Sequence, residues 1–470
     1  MMVKNNTLLA YCIVVLSFLN TIQAQELNNS VLKFDEYIGY VKKFHPLVKQ
    51  AELVISEGQI ELMKARGLFD PKIEVDYDKK EFKNTEYFNR LNTTFKIPTW
   101  YGIELKGNFE QNDGTFLNPE ATVPNDGLYS AGISFSLGQG LLINKRMAAV
   151  RQAKLYRKQV KADRDLLVNK ILSDASLAYF NWVRDYNEMK VYEQFLTNAQ
   201  FRFESVKKNV FSGEKAPIDS IESRISMNNR KLSLVKATVK FRQSTLDLAN
   251  YLWTDSMVPL ELRTSVKPEE DIDNEIDRVL NINALDTNLD LENHPKLVSL
   301  DYKYQSLLVD RNLKRNMLLP KIDLEYNFLS ENPNLLNSFS TTAYKGSLLV
   351  KFPLFLRKER GDLKFAKLKL ESTSYEINAT RLNIKNKVQG ILSELRSFSN
   401  QNSITGTIVT DYEKMLNAEE RKFDVGESSL FLVNSRESKL IDAKLKAIEL
   451  QNKFFKTKMK LFLTLSNPIN

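Results

Sequence analysis

Pro71-Lys72-Ile73-Glu74-Val75-Asp76-Tyr77 returns later in the chain as Pro320-Lys321-Ile322-Asp323-Leu324-Glu325-Tyr326. Each stretch follows a His-Pro dipeptide at the same interval, His45-Pro46 before the first and His294-Pro295 before the second. In both, apolar side chains alternate with polar ones. Ile73, Val75 and Tyr77 oppose Glu74, Asp76 and Asp78; Ile322, Leu324, Tyr326 and Phe328 oppose Asp323, Glu325 and Asn327. A period of two marks a strand with two unlike faces. The echo continues at an offset of 213 positions, where Ala153-Lys154-Leu155 and Gly213-Glu214 recur as Ala366-Lys367-Leu368 and Gly426-Glu427. Two copies of one unit share one architecture, which reads as helix, strands and a long helical hairpin.

The other strands keep the pattern. Ala131, Ile133, Phe135 and Leu137 form one apolar face, and Tyr344, Gly346, Leu348, Val350 and Phe352 another. The first copy holds more: Leu91, Thr93, Phe95 and Ile97 alternate, then Tyr101, Ile103, Leu105, Gly107 and Phe109. This predicts one additional hairpin, since the strand number stays even when both flanking helices leave on one side. The stretch 112–127, rich in Asn, Asp, Pro and Gly, is expected to be an exposed loop, with 332–338 its shorter counterpart. An apolar face backed by carboxylates suits a barrel with lipid outside and water inside. A half-buried soluble sheet is patterned alike, and alternation alone leaves both open.

The helices are longer than a compact globule needs. Val168, Ile171, Ala175, Ala178, Trp182, Asp185, Met189, Tyr192, Leu196, Ala199, Phe203, Val206 and Val210 step by three and four, a heptad seam with Asp185 its one charged member. A continuous helix over 141–211 would reach roughly 105 Å. The second copy repeats the seam through Ile384, Val388, Ile391, Leu395 and Phe398, then Val409, Tyr412, Leu416 and Phe423. Gly213 and Gly426 stand where a left-handed cap ends a helix. Pro217 and Asp219 suit the next helix start, as do Ser428 or Ser429 in the second copy. Return seams are expected within each hairpin, in the first copy from Ile218, Ile221, Ile225, Leu232, Val235, Val239, Leu246, Ala249 and Trp253.

Composition narrows the function. The 470 residues carry net charge +9, but the charges are interleaved, with no dense basic block for a nucleic-acid backbone. Lys4, the apolar run over 8–19 and Ala24 read as a secretory signal peptide cut after Ala24. Cys12, the only cysteine, lies inside it, so the mature chain is expected to have neither disulfide nor thiol-ligated metal. The two histidines, His45 and His294, each precede Pro at a helix start, which reads as a duplicated structural feature rather than a metal or acid–base pair. No catalytic triad spacing, phosphate loop or metal motif is present, which argues against a hydrolase.

The duplicated order of His-Pro helix start, Pro-led alternating strand, long helix and Gly-centred tip, behind a signal peptide, resembles the TolC family of outer-membrane efflux proteins over nearly the whole mature chain. The resemblance implies a mainly α-helical chain with membrane strands. Three copies would share one β-barrel and one periplasmic tunnel of coiled-coil hairpins. The tunnel mouth would meet a periplasmic adaptor (a membrane fusion protein), itself joined to an inner-membrane pump. It implies location in the outer membrane of a Gram-negative bacterium, contact with its lipid, no cofactor and no catalytic residues. Gly213 and Gly426 match the family's tip glycines, and Asp219 the Asp of its tip pattern, with Glu222 one turn on. The second copy has Leu432, Val433 and Asn434 there, which argues against a strongly acidic constriction. The expected tip and adaptor contacts are Gly213, Glu214, Asp219, Glu222, Gly426, Glu427 and Asn434. The expected lumen-facing carboxylates are Glu74, Asp76, Asp323 and Glu325. With the additional hairpin, three copies would supply about 18 strands rather than about 12.

The expected organisation is a signal peptide (1–24), a first copy (25–253, strands about 72–137, tip near 213), an equatorial linker (254–293) and a second copy (294–470, strands about 321–352, tip near 426). The leading functional expectation is a passive exit duct of a tripartite efflux or type I secretion system. The competing one is a periplasmic structural or adaptor coiled-coil protein without a barrel. The cargo, whether drugs, metal ions or polypeptides, is not encoded in these motifs.

Overall fold

The computed structural model describes residues 31–270, 272–280, 291–332 and 340–466; the signal peptide and most of the short loop at 332–338 lie outside them. In chain order, the first half runs β1 (Val31–Leu32), α1 (Phe34–Phe44), α2 (Pro46–Gly67), β2 (Lys72–Phe82), β3 (Thr85–Pro98), β4 (Ile103–Asp113), β5 (Leu128–Gly138), α3 (Lys145–Phe211) and α4 (Pro217–Ala249). β6 (Lys267–Pro268) and α5 (Asp273–Val279) follow. The second half runs α6 (Pro295–Asn316), β7 (Lys321–Ser330), β8 (Tyr344–Lys351), α7 (Arg357–Asp424) and α8 (Leu430–Leu465). The helix expected from 141 starts at Lys145, because Asn144 caps it: its Oδ1 accepts from the Met147 N–H at 2.8 Å.

Contacts divide the chain into two units, each drawing on both halves. One comprises Met1–Ala51, Leu167–Leu289 and Ile384–Asn470. Its core gathers Phe34, Tyr37, Tyr179, Phe180, Trp182, Phe455 and Phe462. The polar tips of these aromatics are satisfied, as burial requires. Tyr37 Oη donates to the Ala175 carbonyl, Tyr179 Oη to that of Leu32 and Trp182 Nε1 to Thr245 Oγ1. The inter-repeat segment enters this core. Val266, Ile272, Ile276 and Leu280 are buried in it, and β6 pairs in parallel with β1. Ala175, Trp182 and Asp185 of the α3 seam are buried. Arg184 at 2.7 Å and Lys240 at 3.2 Å compensate the Asp185 carboxylate.

One expected seam points elsewhere. Ile218, Ile221, Ile225, Leu232, Val235, Val239 and Leu246 of α4 are exposed, while Ser223, Ala237, Ser244 and Leu248 face inward. Small residues let α4 sit close to its neighbours on that side, and the apolar stripe is left unpartnered on the other.

The second unit comprises Glu52–Leu166 and Asp290–Asn383. It carries a six-stranded sheet in the order β2-β3-β4-β5-β7-β8, each strand antiparallel to the next. The additional hairpin is present as part of that sheet. β2 and β3 join through Lys83 and Asn84 at φ 52 and 57, the left-handed pair of a tight two-residue hairpin turn. Leu62, Ala65, Val150 and Ala153 pack α2 against α3 near the base of the sheet, with Phe69 stacked on Trp100.

Candidate functional site

The sheet has two faces of opposite chemistry. One carries apolar levels, each read across the strands from the pairing register. They climb from Leu137–Ile322–Val350, through Ile103–Phe135–Leu324–Leu348 and Ile97–Leu105–Ile133–Tyr326, to Ile73–Phe95–Ala131–Phe328–Tyr344, Val75–Phe109–Tyr129 and Tyr77–Leu91. Five steps of two residues at ~3.3 Å, on strands tilted by about 40°, give a band roughly 25 Å tall, the height of a membrane barrel's apolar belt. Nothing among the described residues covers it: Ile73 is 70% exposed and Leu348 65%. Aromatic rings (Tyr77, Phe109, Tyr129, Phe328, Tyr344) collect at its upper levels.

The opposite face is wet and zwitterionic. Glu74 pairs with Lys96, and Glu325 accepts from Lys106 Nζ at 2.5 Å and from Asn327. Asp323 meets Lys321 at 2.9 Å and the Ser136 hydroxyl. Asp76 lies opposite Asn92. Lys72, Lys96, Lys106 and Lys345 share one level across the sheet, where like charges side by side are tolerable only with counter-charges at hand. The four expected carboxylates therefore stand on one face, three of them as halves of ion pairs, rather than as an acidic wall.

The other candidate site is the pair of hairpin tips. At both, the chain forms the same cap. The Gly213 N–H donates to the Val210 carbonyl and the Glu214 N–H to that of Asn209; Gly426 and Glu427 donate to Phe423 and Lys422 in the same pattern. Gly213 and Gly426 have φ 82 and 81, the left-handed region this motif demands. Phe211, Ile218, Val425 and Phe431 are exposed around the caps. Between them lies a cavity of about 820 Å³, lined among others by Phe201, Arg202, Lys215, Glu420 and Phe423. Lys215 Nζ sits 3.4 Å from the centre of the Phe423 ring.

Residues 288–464 match the outer membrane efflux protein family. Solved structures similar to the chain are of outer-membrane proteins. They include CmeC of Campylobacter jejuni (12% identity, 92% of this chain and 85% of that one, TM-score 0.63). VceC of Vibrio cholerae (12%, 93% and 96%, TM-score 0.64) and the open state of MtrE of Neisseria gonorrhoeae (13%, 92% and 88%, TM-score 0.64) are similar in the same degree. At such identities the likeness speaks for the fold. No curated protein sequence matches the chain.

The expected tip residues separate into two groups. Gly213, Glu214, Gly426 and Glu427 are exposed at the caps, with Asp219 partly buried in the first turn of α4. Glu222 and Asn434 face each other, the amide donating at 3.2 Å. Beside them lies a network the sequence reading missed. Glu437 of α8 is fully buried and pairs with Arg202 of α3 at 2.7 Å and Arg230 of α4 at 3.1 Å. Arg202 also reaches Glu420 of α7 at 3.0 Å. The sequence does carry a signal for it. Glu437 interrupts the apolar stripe Val433, Leu440, Ile441, and a charge on a buried stripe needs partners.

The histidines take structural roles. His294 Nδ1 accepts from the Lys296 N–H, and His45 Nδ1 from that of Leu47, so each caps the helix its Pro begins. Among the described residues no cluster of three His, Cys, Asp or Glu side chains is placed to hold a metal. No helix among them is long and apolar enough to cross a membrane.

Proposed function

We propose that the protein works as a homotrimeric, passive exit duct, receiving cargo from an inner-membrane pump through a periplasmic adaptor that grips the hairpin tips. The observation that carries this reading is the unclosed sheet. β2 and β8 are its outer strands, exposed along their whole length, and one apolar face is bare. Lipid does not tolerate open strand edges, so closure with further copies is required. Six strands alternate in direction, so β2 and β8 run oppositely and a neighbour's β8 can pair with β2. Three copies give about 18 strands; at ~4.8 Å spacing and a tilt near 40°, the strand circle has a radius of roughly 18 Å, against about 12 Å for 12 strands. The unpartnered stripe of α4 supplies the matching contact between helical hairpins of neighbouring copies.

The chain does no chemistry of its own in this scheme. Energy and cargo choice come from the pump and adaptor, and the zwitterionic wall keeps the lumen wet. The tips are the docking points, through Gly213, Glu214, Asp219, Glu222, Gly426, Glu427 and Asn434 together with the exposed Phe211 and Phe431. A coiled-coil adaptor without a barrel would have no use for the bare apolar face.

The test combines assembly and export. Leu232→Asp on the α4 stripe should reduce the trimer recovered in detergent. Gly213→Phe with Gly426→Phe should leave the trimer intact and abolish export. Normal export from the double tip variant would remove the docking idea. Recovery of the unaltered protein as a detergent-independent monomer would remove the duct.

A further inference from the structure

We propose that the two strand-to-helix crossovers at the base of the sheet are membrane anchors, each inserting apolar side chains into the periplasmic leaflet while its lysines and arginines bind glycerophospholipid phosphates. The inference rests on the barrel reading and goes beyond it by naming a lipid-binding element.

The first crossover joins β5 to α3 through Leu141 and Leu142; the second joins β8 to α7 through Leu354 and Phe355. They correspond at the 213-position offset, so the feature is held in both copies. All four side chains are exposed, Leu354 at 86% and Phe355 at 72%. Leu356 has φ 48, a conformation leucine rarely adopts, so the second crossover is held in a costly shape rather than relaxed inward. Both crossovers follow directly on the lowest apolar level, Leu137–Ile322–Val350, and so continue the bare face.

Basic residues come next: Lys145 and Arg146 open α3, and Arg357 and Lys358 open α7. On helix grounds this is the wrong sign, because the start of a helix favours carboxylates. Arg146 is occupied by Glu104 at 2.7 Å. Lys145, Arg357 and Lys358 are exposed and make no ion pair among the described residues. The Arg357 guanidinium lies 5.2 Å from the centre of the Phe355 ring, so cation and apolar group are presented together. Apolar tips at the edge of a lipid-facing band, with free cations just beyond them, match acyl chain and phosphate at the interface.

The test uses the full protein carrying Cys12→Ser and one new cysteine: Leu354→Cys in the crossover, Leu348→Cys on the apolar face, or Phe211→Cys at a tip. Each is labelled with an environment-sensitive dye and reconstituted in phosphatidylethanolamine–phosphatidylglycerol vesicles. At 348 and 354 the emission should shift to the blue, lose quenching by aqueous iodide and gain quenching by spin-labelled lipid, with shallow labels the more effective at 354. At 211 the dye should stay open to iodide. Arg357→Glu with Lys358→Glu should restore iodide quenching at 354 and leave 348 protected; no change at 354 would overturn the phosphate contact. Iodide quenching at 354 with 348 protected overturns the anchor alone, and would be the result if a protein partner covered this patch. Quenching at both positions overturns the barrel reading beneath it.

Discussion

Glu437→Gln is the sharpest test of the tip network. The side chain has no solvent exposure and its two oxygens meet two guanidiniums, Arg202 at 2.7 Å and Arg230 at 3.1 Å. The amide keeps the shape but gives up the charge, and leaves two cations short of compensation. Removing one member of a buried pair costs about 3–5 kcal/mol. Two features pull toward the lower end. Arg202 keeps Glu420 at 3.0 Å, and both guanidiniums retain some contact with water. The expected loss is therefore about 3 kcal/mol; with an unfolding entropy of about 2.1 cal/mol/K per residue, a chain of this length shifts by about 1 °C per kcal/mol, so the melting midpoint of the helical signal at 222 nm should fall by roughly 3 °C. Glu449→Gln is the control. Its partners Lys446 and Lys453 sit on the surface, where such pairs are worth at most about 1 kcal/mol. A midpoint for Glu437→Gln no lower than that of Glu449→Gln would refute the reasoning. The triple variant Arg202→Met, Arg230→Leu and Glu437→Leu should recover most of the loss, because it removes the buried charges together.

Leu348→Lys puts a charge on the bare face and should cost about 2–4 kcal/mol of membrane stability if it lies near mid-membrane, whereas Ser347→Lys, one residue along on the wet face, should be tolerated; equal amounts of both variants in the outer membrane would contradict the assignment of faces. Gly213→Ala and Gly426→Ala meet no atom within 4 Å, so their cost is backbone strain alone, about 1 kcal/mol each, readable as roughly fivefold faster hydrogen exchange at the tip amides. Burial holds the His45 imidazole below its ordinary pKa. Stability attached to the neutral ring is complete above the unfolded value near ~6.5 and is lost as pH falls toward and through the lower folded value. His45→Asn keeps a cap and should flatten that part of the pH dependence of melting; an unchanged slope would rule out this role.

Much of this molecule is written locally. Alternation marked β2, β7 and the faces they present, because a strand's period is fixed by its own backbone. The Gly213 and Gly426 caps were legible for the same reason, a positive φ being a property of one residue. The α4 stripe was read only halfway. Periodicity identifies an apolar side but not what lies against it, and Leu232 and Val239 are exposed. The Arg202–Glu437–Arg230 network joins α8 to the far earlier hairpin of α3 and α4, and only packing brings its members together. The wet face was misjudged in its balance. Lys96 and Lys106 share the parity of the carboxylates, and which pairs with which depends on a register that one strand does not contain. The inter-repeat segment, expected only as an equatorial linker, supplies Ile272, Ile276 and Leu280 to a buried edge of the main core.

The antiparallel run of the six strands has an evolutionary corollary. A ring of identical copies is sealed only when the first and last strands of each copy point in opposite directions, so a lineage can neither gain nor lose a lone strand. Change must arrive as whole hairpins, multiplied by the number of copies. The bore of such a conduit is thus quantised, and the β2–β3 ribbon, closed by its two-residue turn, has the form of one such quantum.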